Sequence, residues 1–113
     1  MEDRKKEKTK IPYKVKKTKI KLLALNYKKA KMKVLFYNSL HKMDESQENE
    51  RNDCQAFINY FDQILNSVSE LAKTCIENEY INNNPLWYEK KYTKAVYYRI
   101  RKDAINEFFI YAK

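Results

Sequence analysis

The chain has 113 residues, which gives room for one domain with a core large enough to fold alone. It holds no Gly and only two Pro, which excludes Gly-rich phosphate loops, dinucleotide-binding Gly fingerprints and Gly-based hairpin turns, and points to helices joined by polar turns. Its 24 Lys and Arg outnumber 15 Asp and Glu, and a net charge of +9 favours an anionic partner over a cationic or neutral one.

The charge is unevenly placed. Residues 1–19 carry +6 and residues 20–43 another +6; residues 44–84 reverse to −7, and residues 85–113 return to +4. Basic segments around an acidic middle fit a polyanion binder with an internal counter-patch; the plainer alternative is a set of solvated lysine faces. Cys54 and Cys75 lie too far apart for a C-x-x-C pair and His41 is the single His, so no common zinc spacing is present and two buried free thiols are expected. No signal peptide and no run of 18 apolar residues is seen, and the expectation is a cytoplasmic protein without a membrane segment or cofactor.

In chain order, residues 1–18 are dense in charge and poor in apolar side chains. They read as a basic disordered tail, able to gain affinity for phosphates without sequence preference or simply to solubilise. Residues 19–113 read as a single helical domain. Over residues 18–43 the spacing predicts a long helix with two apolar stripes, one through Ile20, Leu23, Tyr27, Ala30, Val34, Tyr37 and His41, the other through Leu22, Leu25, Met32, Phe36, Leu40 and Met43. The two are expected to adjoin as one wide face, with most lysines outside it and His41 packing at the helix end.

Residues 44–53, DESQENERND, break the pattern and supply caps, of which Ser46 is the expected N-cap. A second helix follows, with Cys54, Phe57, Ile58, Phe61, Ile64, Leu65 and Val68 at helical spacing. Acidic residues near its start suit the helix dipole better than acid–base catalysis. Ser67-Val68-Ser69-Glu70 has the form of a capping box and marks a new start. The third helix is expected to reach Ile81 and to stop at Asn82-Asn83-Asn84-Pro85. Pro85 then opens a short helix, LWYEKKY, with Trp87 as core anchor. Thr93 caps a last helix, TKAVYYRIRKDAINEF, whose Tyr97, Ile100, Ala104, Ile105 and Phe108 form one stripe while Lys94, Tyr98, Arg99, Arg101 and Lys102 fall on other faces. A helix with a packed back and a front of Arg, Lys and Tyr suits the major groove.

The order from Ser67 onward is helix, Asn/Pro turn, short helix, hydroxyl cap and basic helix, the layout of a helix-turn-helix over residues 67–112. This stretch resembles region 4 of sigma factors. It is still more similar to the phage late-transcription regulators of the ArpU and RinA kind and to related small mycoplasma proteins, in which an aromatic-rich short helix precedes a Ser/Thr cap and a Tyr-Tyr-Arg helix. It departs from region 4 in the short segment between Pro85 and Thr93, where the usual Ile-Ala and Leu-Gly pairs are missing.

The resemblance implies an all-α fold ending in a unit of sigma region 4 type, and a non-enzymatic transcription regulator that binds double-stranded DNA and contacts RNA polymerase. Carried over by position from the cap, Lys94, Ala95, Tyr98 and Arg99 would face base edges. Lys90, Lys91, Arg101 and Lys102 would sit on phosphates, and the acidic segment 44–53 would offer a surface to a basic partner. Two other classes stay open: a small RNA- or ribosome-associated basic protein working through its N-terminal lysines, and a protein-interaction adaptor that binds no DNA. No nucleophile, metal set or paired-carboxylate site stands out for an enzyme.

Overall fold

A computed structural model describes residues 11–112 of the chain. Residues 1–10 of the expected tail 1–18 lie outside them, and residues 13–18, expected to be disordered, are helical. The described residues are all-helical: α1 spans Tyr13–Asn38, α2 Glu45–Ser67, α3 Glu70–Ile76 with a π-helical continuation Glu77–Ile81, and α4 Lys94–Tyr111. No strand occurs among them.

α1 begins at Tyr13, five residues before the expected start. The Pro12 carbonyl accepts the first backbone bonds, from Val15 and Lys16 at 3.0 and 3.1 Å. Tertiary contact supplies what local sequence does not: Tyr13 packs on the core, Lys16 Nζ donates to Asn106 Oδ1 of α4 at 3.1 Å, and Lys102 Nζ lies 5.7 Å from the Tyr13 ring centre. The helix stops at Asn38, and His41 is exposed in the following bend instead of packing at the helix end.

The two stripes on α1 do not adjoin. They are offset by two residues, which on an α-helix is about 200°, so they face nearly opposite ways. Ile20, Ala24, Tyr27 and Ala30 are buried, whereas Leu22, Leu25, Met32 and Phe36 are exposed.

The caps also fall elsewhere than expected. α2 is capped by Asp44, not Ser46, because Asp44 is the residue with a reciprocal partner three positions on: Gln47 N donates to its Oδ1 at 2.7 Å and Asp44 N donates to Gln47 Oε1 at 3.0 Å. Ser69, not Ser67, starts α3, its hydroxyl accepting from Ala72 N at 3.2 Å. Ala72 cannot return a bond, and Glu107 of α4 does so from 38 residues away, accepting from Ser69 N at 2.7 Å and Ser69 Oγ at 3.0 Å.

Asn83 takes a left-handed conformation with φ 53°, ending the third helix as its residue type suggested. Residues 85–91, expected as a short helix, form a chain of turns. Trp87, Glu89 and Lys91 donate backbone bonds three residues back. Trp87 and Tyr88 are neighbours drawn to different partners. Tyr88 stacks on Tyr97 at 3.8 Å, and Trp87 Nε1 donates to Glu79 Oε2 at 3.0 Å. Thr93 then caps α4 as expected, accepting from Val96 N.

One hydrophobic cluster draws on all four helices: Ile20, Ala24 and Tyr27; Ile58, Phe61, Ile64 and Leu65; Ala72, Cys75 and Ile76; Ala104, Ile105 and Phe108. Phe61 is its hub, stacked on Tyr27 at 4.4 Å and tilted against Phe108 at 5.4 Å. The Tyr27 hydroxyl reaches Asp62, so the ring is buried without orphaning its oxygen. α1 packs mainly on α2, and α3 mainly on α4. Cys75 is fully buried, Cys54 half-buried, and both are free thiols.

Candidate nucleic-acid interface

α4 has the division of faces that a groove-reading helix needs. Tyr97, Ala104, Ile105 and Phe108 are buried and fix it from behind. Lys94, Ala95, Tyr98, Arg99 and Lys102 are all exposed, and their spacing puts them on one side of the helix. The four positions assigned to base edges therefore lie together on the open face. Lys90 and Lys91 are exposed in the turns just ahead of the Thr93 cap, at the end of α4 where Lys94 begins.

Arg101 stands apart from this group. It is half-buried, its guanidinium 5.6 Å from the Tyr97 ring centre and 5.2 Å from that of Tyr98, and its Nε is covered without a hydrogen-bond partner. Rather than reaching outward from the α4 front, it lines a pocket of about 320 Å³ between α1, the π-helical turn and α4. The pocket's other cations, Lys17, Lys21 and Lys28, come from α1.

Glu79 is the single carboxylate in that lining, and it is committed elsewhere. Its Oε2 accepts from Trp87 Nε1 and from the Tyr97 hydroxyl. Among the described residues the only ion pair joins Lys33 to Glu50, so no carboxylate pairs directly with the four pocket cations, and with the Glu79 charge counted the lining still carries an excess of positive charge. Leu25, Tyr80 and Asn83 complete the wall; burial pushes the Tyr80 phenol well above its ordinary range, so it stays a neutral donor even in alkaline solution. A cationic recess with phenol and amide groups at its edge suits a phosphate.

Sequence reasoning placed Lys21 and Lys28 on a solvated outer face and Lys17 in the tail. Their spacing of four and seven residues gave a local sign that they share a side of α1. Nothing local joined them to Arg101, which is 73 residues beyond Lys28 and is brought there by the packing of α1 on α4.

In the acidic segment, Asp44 is used as a cap and Glu50 is bonded to Lys33 and Tyr37 of α1. Glu45, Glu48 and Asp53 remain exposed. No group of three or more His, Cys, Asp or Glu side chains among the described residues is arranged to hold a metal ion, and no described helix is long and apolar enough to cross a membrane. Comparison of the chain with protein-family models, with curated proteins and with solved structures gave no match.

Proposed function

We propose that the protein is a transcription regulator that binds double-stranded DNA with α4 in the major groove. The observation that carries this reading is the α4 front. Lys94, Tyr98, Arg99 and Lys102 are exposed together on a helix whose back is locked into the core. In this reading Arg99 pairs with a guanine edge, Lys94 with a base acceptor or a phosphate, and Tyr98 stacks or donates to the backbone. Ala95 offers a contact only to a thymine methyl.

The net positive pocket beside α4 supports the same reading. A strand whose bases face Arg99 runs its phosphates past the helix flanks, where Lys17, Lys21, Lys28 and Arg101 converge. In this reading α4 acts as the recognition helix of a unit of sigma region 4 type, in which turns stand at residues 85–91 where the first helix of the pair was expected. Glu45, Glu48 and Asp53 form the surface for a basic part of RNA polymerase.

Selection from random duplex DNA, repeated with Arg99→Ala, tests it. A motif is expected to be enriched, and the substitution to erase one base preference at a cost of about 1–3 kcal/mol. Lys17→Gln with Lys21→Gln is expected to weaken all duplexes alike and to flatten the salt dependence. Equal binding to every duplex, unmoved by Arg99→Ala, rejects the reading. A preference for single-stranded RNA would turn it to the RNA-associated class.

A further inference from the structure

The exposed side of α1 has a periodicity of its own. Val15, Leu22, Lys29 and Phe36 recur every seven residues, and Thr18, Leu25, Met32 and Ser39 follow each by three. All eight are exposed, with Leu22 at 57%, Met32 at 71% and Phe36 at 58%. This is a heptad seam of the coiled-coil kind, set on the side of α1 turned away from the core. From Leu22 to Phe36 it runs about 21 Å along the helix.

We infer that this seam is a docking site for an acidic amphipathic helix of another protein. The charges beside it choose the occupant. Lys14, Lys21 and Lys28 stand one residue before Val15, Leu22 and Lys29 and form a continuous positive flank, and Lys29 lies in the seam itself. No carboxylate occurs anywhere in α1. On the opposite flank Lys33 is already paired with Glu50 at 2.8 Å, and the groove there also holds Asp53. The occupant therefore carries apolar residues along its own seam, carboxylates along the edge that meets Lys14, Lys21 and Lys28, and one carboxylate opposite Lys29.

A second copy of the chain does not meet that description. Parallel pairing along the seam would set Lys14 beside Lys19, Lys28 beside Lys33 and Lys29 against Lys29, and the antiparallel arrangement again opposes lysine to lysine. An anionic membrane fits less well. Helices that lie in a bilayer surface bury a broad apolar face, and here two narrow columns, widened only by Leu35 near the helix end, are interrupted at their centre by Lys29 and flanked by Lys14, Lys21 and Lys28. The seam does not overlap the α4 front, although Lys21, Leu25 and Lys28 border both it and the cationic pocket.

The test uses the full chain and a synthetic peptide of about three heptads, with Leu at the seam positions, Glu along one edge and one Glu placed to face Lys29. Fluorescence anisotropy is expected to show saturable binding that weakens with salt. Met32→Glu, an exposed substitution far from the core, is expected to lower affinity about tenfold or more, and Arg99→Ala to leave it unchanged. Lys29→Glu should weaken binding, and a peptide with Lys at the facing position should restore it, a rescue that general stickiness cannot give. The inference fails if a peptide with Lys along the edge binds equally well. It also fails if no peptide binds, with dimerisation in sedimentation through Met32 then assigning the seam to a second copy and adhesion to vesicles of anionic phospholipid assigning it to a membrane.

Discussion

Glu50 and Glu79 perform the same chemistry in the two halves of the molecule under different conditions. Glu50, on α2, accepts from Lys33 Nζ at 2.8 Å and from the Tyr37 hydroxyl, tying the far end of α1 to α2. Its side chain is 45% exposed and that of Lys33 54%, so water competes for every bond. Glu79, in the π-helical turn, accepts from Trp87 and Tyr97 inside a group of rings in which Tyr88, Tyr97 and Trp87 lie within 6.4 Å of one another. The contrast shows where a polar anchor matters. α1 and α2 are long regular helices whose alignment is set by Tyr27, Phe61 and the rest of the core. Residues 85–91 have no helical ladder to hold them, and the Glu79 carboxylate does for them what packing does for α1.

The contrast would break most visibly at Glu79. Glu79→Ala leaves the Trp87 and Tyr97 donors without their partner and is expected to cost about 1–3 kcal/mol in denaturant unfolding. The emission of Trp87, the single Trp, should shift as its indole is released. A loss no larger than that of Glu50→Ala would show that the rings alone hold the segment. Glu107→Ala removes the long-range cap on Ser69 and should cost about 1 kcal/mol, read as a lower midpoint with an unchanged denaturant slope.

The smallest effect belongs to Glu50. Its carboxyl is held below the usual carboxylate range by the Lys33 and Tyr37 bonds. The stability it adds is therefore present above that usual range and is lost as the pH falls through the lowered value. Glu50→Gln should remove this part of the acid dependence, shifting the thermal midpoint less than Glu107→Ala does, and added salt should shrink the shift further.

The helices themselves were legible because apolar spacing and short polar caps act over a few residues. Thr93, the Asn82-to-Asn84 stop and the stripe of α4 are all local signals, and the exposure of Lys94, Ala95, Tyr98 and Arg99 follows from that stripe. What sequence could not decide was which side of α1 finds a partner, since both stripes are apolar and only the assembled core selects Ile20 over Leu22. The helical state of residues 13–17 depends on α4, and the turns at 85–91 depend on Glu79 and Tyr97. The site divides in the same way. Its front is a property of one helix, while Arg101 and the pocket lysines belong to two helices far apart in sequence.

The π-helical turn acts as a phase shifter. Five residues close where four would suffice, with Asn82 N donating to Glu77 O at 2.8 Å, so the last turn of the helix departs from the course α3 began on before Asn83 ends it. That added residue separates a third helix that merely packs on α4 from one that hands a carboxylate to Trp87 and Tyr97 and leaves a cationic recess open beside them. The recess takes Glu79 and Tyr80 from that widened turn, so deleting one residue there is expected to change its wall even with every side chain lining it kept.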